Sequence, residues 1–347
     1  MLDSNPRALS LMHCHLLVSD LFWPASAGEN PYRGLALPAL ETLLARGRRG
    51  KIPGASVERW LAARYQMPGD LPLAPVSLRG DGGEPGEDWW MRADPVHLKF
   101  HGDGLILADA SRLGLTPEES REFVATLNSH LSGEGTSFVA PRPQRWYVRA
   151  AREMRLVTTP TSEAAARNVQ ALLPQGEDGA RWRRIINEAQ MLLHQHPCNE
   201  AREQQGRLGV NSIWVWGPGR DCKVAAAYDG IWADHPVATG LAAASGSASW
   251  PLPASGEPLL GSRHIGTHLV VLTLPPTAYG EAAEWRDALT FLERSWFSVL
   301  LAGLRDSALE SLTLHGLGPD HGHTSVLTRR GCLHFWRIRR PLHVYAA

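Results

Sequence analysis

The chain carries no net charge, has little cysteine and contains no long apolar run. Lys+Arg (35) and Asp+Glu (35) cancel, so no field of one sign favours nucleic acid or an anionic membrane. The four cysteines form no Cys-x-x-Cys pair, which argues against a zinc ribbon and a disulfide framework. No run of about 18 apolar residues occurs, and residues 1–10 contain no apolar signal segment. We therefore expect a cytoplasmic protein with no membrane or nucleic-acid partner.

The remaining composition is that of a globular protein large enough for two domains. Its 347 residues are 44% hydrophobic, which suffices for a sizeable core without metals or disulfides. Short apolar runs that predict strands alternate with helical periodicity, over strands 16–18, 224–228, 268–274 and 309–314 and helices 37–44, 236–244 and 282–304. Such alternation predicts an α/β core with a mostly parallel sheet flanked by helices.

The middle of the chain has a different pattern. Residues 79–88 are rich in glycine and acidic residues, which indicates a junction. Beyond it we predict a hairpin over 96–107 that turns at 101–104, a helix from 117 to about 131, a long amphipathic helix ending before Pro197, and a strand over 213–216. We therefore predict a core domain made of residues 1–86 and 217–347, with an inserted α+β domain over 87–216.

Two candidate functional residues lie near the start of the chain, one after a predicted strand and one in a turn before a predicted helix. Asp20 ends the first apolar run, at the edge where open α/β sheets bind ligands; the simpler interpretation is a loop carboxylate that caps a turn. Ser56 ends a Pro-Gly-Ala-Ser turn before a helix. A hydroxyl there can act as a nucleophile beside a phosphate-binding helix terminus, or it can be a plain N-cap.

A polar face follows on the long middle helix. Asn187 and His194 lie on one face, opposite the apolar stripe. His194, His196 and Cys198 are spaced closely enough to bind a metal, but no second carboxylate or cysteine pair completes the ligand set. A ligand-orienting helix end and a structural hydrogen-bond network are the other interpretations.

The last candidate is the pair Asp320 and His321, which follows the final core strand. An adjacent carboxylate and imidazole suit Zn²⁺ or Mn²⁺, although a polar hairpin loop has the same composition. Residues 336–340 are basic and aromatic, and we interpret them as a solvated edge rather than a nucleic-acid patch.

Taken in chain order, these segments resemble the archaeal-type cofactor-independent phosphoglycerate mutases of the alkaline phosphatase superfamily. The likeness is carried by residues 16–20, 37–43, 50–56, 196–202, 211–219 and 319–321. The resemblance implies an alkaline phosphatase-like fold, a metal held by Asp20, Asp320 and His321, and a nucleophile at Ser56. It also implies a small phosphorylated or carboxylated ligand, with contacts from Arg142, Arg145, Asn187, His194, Asn199, Arg202 and Asn211.

The chain departs from the pattern of that family at three places. Thr277 and Glu281 stand where the family has the Asp and His of a second metal site, and Leu21 replaces a glycine. Ala55 occupies the position of the nucleophilic serine, so Ser56 comes one residue later. One step along a helix start rotates a side chain by roughly 100°. We therefore expect one divalent cation, Mn²⁺ or Zn²⁺, and no organic cofactor.

Residues 92–98, 139–147 and 187–194 resemble, more closely, a bacterial group described as phosphoglycerate mutase-like or as rpf-type regulatory proteins. Together with the departures, this predicts a degenerate metal site and a regulatory or ligand-binding role rather than efficient mutase activity. The alternative is an active metal-dependent phosphoglycerate mutase or phosphatase that forms a phosphoserine at Ser56.

Overall fold

The structure is a computed structural model that describes residues 12–24, 30–67, 72–102, 104–261 and 264–346. Residues 1–10, over which we expect no signal segment, lie outside this part of the chain. Two compact units are present: Met1–Val57 with Ala226–Asp234 and Ser247–Ala347, and Glu58–Ala225 with His235–Gly246. None of the described helices is long and apolar enough to cross a membrane.

The strands are β1 (Met12–Val18), β2 (Arg48–Pro53), β3 (Trp89–His101), β4 (Gly104–Ala108), β5 (Thr136–Arg142), β6 (Arg145–Ala150), β7 (Ser212–Gly219), β8 (Gly230–Trp232), β9 (Ala248–Trp250), β10 (Gly266–Leu272), β11 (Leu309–Gly316) and β12 (His321–Thr328). The helices are α1 (Pro38–Arg46), α2 (Val57–Arg64), α3 (Leu73–Gly80), α4 (Pro117–Leu131), α5 (Thr161–Ala164), α6 (Gly179–His194), α7 (Pro197–Gln204), α8 (Pro236–Ser245), α9 (Glu257–Gly261), α10 (Ala282–Leu292) and α11 (Ser298–Arg305).

The first unit is built on a sheet with the strand order β2-β12-β11-β1-β10-β8-β9. Strands β11, β1, β10, β8 and β9 run parallel, and β12 and β2 extend the sheet with antiparallel pairings. Alternate residues of β1, namely Cys14, Leu16 and Val18, are fully buried in a core shared with α1, α10 and α11. The predicted α/β class with a mostly parallel sheet flanked by helices is confirmed.

Helix α1 shows how the core of this unit is assembled. Pro38 begins the helix and Gly47 follows its end, but the residue before Pro38 provides no side-chain cap. The Glu293 carboxylate takes that role, because the amides of Ala39 and Leu40 donate to it over 2.6 and 3.1 Å. Glu293 lies in a π-helical turn between α10 and α11. Its buried carboxylate therefore ties the first helix of the unit to a late one.

The second unit contains an antiparallel sheet with the order β4-β3-β6-β5, and β7 pairs with β3. Helices α4 and α6 bury their apolar stripes against it, where Phe123, Trp182 and Ile185 share a core with Trp146 of β6. Helix α4 begins with a capping box in which Thr116 and Glu119 bond to each other's backbone amides. The predicted hairpin over 96–107 forms between β3 and β4, although Asp103 in its turn lies outside the described residues.

Two local predictions are wrong, and one strand was not predicted. Residues 224–228 form no strand, and β8 begins at Gly230 instead. His321 is not in a loop but begins β12. Strand β2 is absent from the predicted strands, since Arg-Arg-Gly-Lys-Ile-Pro shows no apolar alternation; it becomes a strand through its pairing with β12.

Candidate functional site

The candidate site lies where the parallel strands of the first unit end. Strand β1 has β10 on one side and β11 on the other. The loops after these strands are joined by backbone hydrogen bonds, from Ser19 to Leu272 (3.0 Å) and from Leu21 to Leu317 (2.8 Å). Asp20 is therefore held between the loops that follow β10 and β11, at the carboxyl edge where the sequence places it.

Asp20 is bonded directly to Thr277. Its Oδ1 accepts from the Thr277 amide over 3.1 Å and from the Thr277 hydroxyl over 3.0 Å. Thr277 is buried, and the Asp20 carbonyl accepts from the Trp285 indole over 2.7 Å. Asp20 also has a φ of 49°, in the left-handed region that is costly for a residue with a side chain. The surrounding contacts thus fix the Asp20 carboxylate beside Thr277, whose amide and hydroxyl are neutral donors.

The turn that carries Ser56 packs directly on Asp320. A Cβ added to Gly54 would lie 2.4 Å from the Pro319 carbonyl oxygen and 2.8 Å from the Asp320 carbonyl carbon. Only glycine permits this approach. Ser56 is half-buried and immediately precedes α2, as its sequence position predicts. The contact places the predicted nucleophile turn and the predicted metal pair side by side.

His321 has partners of its own within the first unit. It pairs with Pro53 of β2, and its Nε2 donates to the Tyr345 carbonyl over 3.3 Å. Its ring stacks on Phe22 with 5.9 Å between centroids. His323, two residues on, is buried, and burial lowers its pKa below the ordinary value. This imidazole is therefore neutral at pH 7.

The donors in this region do not form a cation site as they stand. Across the described ranges, no group of three or more His, Cys, Asp or Glu side chains is arranged to hold a metal ion. Asp20 is bonded to Thr277 and His321 to Tyr345. Metal binding by Asp20, Asp320 and His321 therefore stays a prediction.

The predicted ligand contacts at the β5–β6 hairpin surround a buried carboxylate. Asp81 is only 2% exposed at its side chain and accepts from Arg145 over 2.6 Å and from the Tyr147 hydroxyl over 2.6 Å. Arg142 lies 3.9 Å from the same carboxylate with 58% of its side chain exposed. Burial raises the pKa of Tyr147, so its hydroxyl stays protonated and donates. Arg145 is therefore committed to Asp81, whereas Arg142 faces solvent.

Two predicted ligand contacts are engaged with the backbone. Asn211 bonds to both the amide and the carbonyl of Leu98, over 2.7 and 2.8 Å. Asn199 donates to the carbonyls of Leu193 and Val210, over 2.7 Å each, and accepts from the Val210 amide. A ligand would have to replace these bonds. Ligand contact by either side chain stays a prediction, and it would cost the free energy of these backbone hydrogen bonds.

The polar face of α6 is exposed as predicted. Asn187 and His194 both lie on the solvent side of the helix, and Met191 between them is 73% exposed. The opposite side contributes Ile185 and Ala189 to the core. The amphipathic pattern is confirmed. Ligand binding by Asn187 and His194 stays a prediction.

The neighbouring His196 and Cys198 form a structural network. His196 Nδ1 accepts from the Cys198 amide over 3.2 Å, and its Nε2 lies 3.0 Å from the Thr126 hydroxyl. The Cys198 thiol donates to Glu122 over 2.8 Å. Burial, together with Glu122, raises the pKa of Cys198 to about 12. Both His196 ring nitrogens and the Cys198 thiol already have protein partners, and this geometry favours the structural interpretation over a metal site.

Sequence reasoning missed Asp81 and the bond between Asp20 and Thr277. Asp81 lies in the breaker-rich stretch that indicated a junction, so nothing local marked it as a buried anchor. Thr277 and Asp20 are 257 positions apart. The departure of Thr277 from the family pattern was visible in the sequence, but its direct bond to Asp20 was not.

Comparison with known proteins relates the chain to phosphoglycerate mutases. No protein-family model matches it. It is 27% identical over 196 residues to the 2,3-bisphosphoglycerate-independent phosphoglycerate mutase of Methanosarcina mazei, covering 52% of this chain and 48% of that protein. It is 23% identical over 215 residues to a probable enzyme of the same description from Geobacter sulfurreducens, covering 58% and 53%. The matched part of the chain thus spans about half the length of these curated relatives.

A solved structure supports the fold over nearly the whole chain. The PH0037 protein from Pyrococcus horikoshii aligns with a TM-score of 0.54 and 14% identity, over 92% of this chain and 88% of that one. The cofactor-independent phosphoglycerate mutase from Thermoplasma acidophilum aligns with a TM-score of 0.49 and 16% identity, over 92% and 90%. The curated relatives confirm the predicted similarity to phosphoglycerate mutases. The bacterial regulatory grouping stays a prediction.

Proposed function

We propose that this chain is a phosphoglycerate mutase-like protein with a degenerate metal site that binds a small phosphorylated or carboxylated ligand in a regulatory role. The proposal rests chiefly on the bond between Asp20 and Thr277. In the pattern that the sequence resembles, an acidic metal ligand stands at the position of Thr277. Here a hydroxyl and an amide satisfy the carboxylate instead, and they bring no negative charge for a cation.

Thr277 in place of an acidic metal ligand affects catalysis because it removes a negative charge that would help to hold a cation. Metal-assisted phosphoryl transfer uses cations to activate the nucleophile and to neutralise the transferring group. Losing one such stabilising group costs several kcal/mol in the transition state, which corresponds to several decades in rate. One divalent cation, Mn²⁺ or Zn²⁺, remains the proposed occupant of Asp20, Asp320 and His321, and we expect its affinity to be low.

Ligand binding makes smaller demands than phosphoryl transfer. The amides at the start of α2, next to Ser56, lie at the positive end of a helix and favour a phosphate or carboxylate. The close packing of Gly54 on Asp320 holds this turn in a defined position. Neither feature needs a cation, so binding can persist where turnover has been lost.

The first test is an assay of phosphoglycerate interconversion in the presence of Mn²⁺, with wild type and Ser56→Ala compared at equal concentration. We expect both proteins to show the same background rate, because the nucleophile and the charge around it are not those of an active mutase. Mass spectrometry of the incubated wild type is expected to find no phosphate on Ser56. An active phosphoglycerate mutase assayed in parallel provides the positive control.

The opposite outcome would establish the alternative function. Turnover that requires Mn²⁺ and disappears in Ser56→Ala would show a metal-dependent mutase or phosphatase that acts through a phosphoserine. Calorimetry with 3-phosphoglycerate tests the binding half of the proposal separately. Failure of both proteins to bind it would remove phosphoglycerate as the ligand.

A further inference from the structure

A cavity of about 600 Å³ lies in the first unit, beside the start of β2 and the end of the chain. One side of it is formed by Trp336, Arg337, Ile338 and Arg340. They belong to the basic and aromatic run 336–340, which the sequence predicts to be a solvated edge. The residues that matter for its chemistry are Arg48, Arg49, Arg337, Arg340, Trp336 and Tyr345. Among the described residues that line it, none carries a carboxylate.

The four arginines make this cavity a concentration of positive charge. The whole chain is balanced, with 35 basic and 35 acidic residues, so the excess is local. Within the described ranges, none of the four guanidinium groups forms an ion pair with an acidic side chain of the chain. Arg337 does bond to the carbonyls of Arg46 and Gly47, over 3.3 and 3.4 Å. Guanidinium groups that have no acidic side chain as a partner favour a ligand with several anionic oxygens.

Aromatic and apolar side chains stand next to the arginines. Trp336 is 63% exposed and Ile338 79% exposed. The Arg49 guanidinium lies over the Tyr345 ring, 5.2 Å from its centroid. An exposed indole beside arginines is suited to stacking on a planar ring. The carbonyl of Tyr345 also accepts from His321, so the cavity adjoins the candidate site without sharing its predicted ligands.

We propose that this cavity binds a free nucleotide that carries two or more phosphate groups. The arginines bind the phosphates, and Trp336 stacks on the base. The volume falls in the range of roughly 300–1,000 Å³ that small-molecule sites occupy. We favour a free nucleotide over a nucleic-acid strand, because a strand would need a basic track longer than one cavity. This site is additional to the proposed function and does not depend on it.

Calorimetry on the full chain tests the phosphate half of the proposal. The probes are ATP, GTP and inorganic tripolyphosphate, at low and high salt. We expect binding that weakens with salt, and a loss of at least tenfold in affinity in the double variant Arg48→Gln/Arg340→Gln, because each Arg–phosphate contact is charge-assisted. The matched control is Arg329→Gln/Arg330→Gln, which alters two exposed arginines outside the cavity and is expected to bind within twofold of wild type.

Trp336→Ala tests the base half. We expect it to weaken ATP and GTP about tenfold, since stacking on an aromatic side chain contributes on that order, and to leave tripolyphosphate binding unchanged. Circular dichroism confirms that each variant is folded. The proposal is overturned if neither nucleotide binds, if the control variant loses as much affinity as Arg48→Gln/Arg340→Gln, or if Trp336→Ala leaves nucleotide affinity unchanged. Tighter binding of a single-stranded oligonucleotide than of the free nucleotides would also overturn it, in favour of a nucleic-acid surface.

Discussion

Replacing Arg202 by methionine is expected to lower the free energy of unfolding by about 3–5 kcal/mol. Arg202 is only 1% exposed, and its guanidinium donates to the carbonyl of Leu208 over 2.8 Å, to the Glu119 carboxylate over 2.9 Å and to the carbonyl of Leu113. Methionine fills similar space but donates no hydrogen bond. The carbonyls of Leu113 and Leu208 would then lose this buried donor and the Glu119 carboxylate would lose one of its donors, which is the costly way to break such a network.

Urea denaturation of the variant measures this effect, and Arg207→Met is the matched control. Arg207 also bonds to Glu119, over 2.9 Å, but its side chain is 32% exposed. Water can replace part of its contact, so we expect a loss of no more than about 1 kcal/mol. A small loss in Arg202→Met, combined with weaker phosphoglycerate binding, would show instead that Arg202 contacts the ligand as the family resemblance implies.

The same network predicts a dependence on pH. Burial alone would raise the pKa of Glu119, but hydrogen bonds from the Thr116 amide and from Arg202 outweigh it and lower the pKa below its ordinary value of 4.5. A carboxyl group with a lowered folded-state pKa stabilises the fold above that ordinary value and loses its contribution as the pH falls. The stability difference between wild type and Arg202→Met is therefore expected to shrink as the pH falls below about 4.5.

Local signals predicted some elements well and missed others for a physical reason. Helix α4 could be placed to the residue, because Thr116, Pro117 and Glu119 are adjacent in sequence and form its cap. Strand β2 could not, because its order comes from pairing with β12, which begins at His321, more than 260 positions away. Elements stabilised by neighbours in sequence were predictable, and elements stabilised by distant pairing were not.

The candidate site divides in the same way. The position of Asp20 after a buried strand was enough to place it at the carboxyl edge of the sheet. Its partner was not predictable, since Thr277 follows β10 and reaches Asp20 only after β1 and β10 have paired. The approach of Gly54 to Asp320 likewise depends on the pairing of β2 with β12. Sequence therefore located the residues, and the sheet determined which of them meet.

Thr277→Asp is expected to raise the affinity for Mn²⁺ at least tenfold. The substitution puts a second carboxylate beside Asp20, where the hydroxyl of Thr277 now donates over 3.0 Å. Two close carboxylates repel each other, and together they attract a divalent cation that prefers oxygen ligands, such as Mn²⁺. Without metal, the lost hydrogen bond and the repulsion are expected to destabilise the variant by about 2–3 kcal/mol.

Thermal denaturation at increasing Mn²⁺ concentration separates these effects. A ligand at 100 times its Kd stabilises the folded state by about 2.7 kcal/mol, so the melting temperature of Thr277→Asp should recover towards that of wild type as Mn²⁺ is added. Thr277→Asn is the control, because it changes shape in the same way without adding charge, and we expect no recovery. If micromolar Mn²⁺ already stabilises the wild type, the proposal of a degenerate site is contradicted. The Asp20 carboxylate would then bind the cation in place of Thr277 without an added carboxylate.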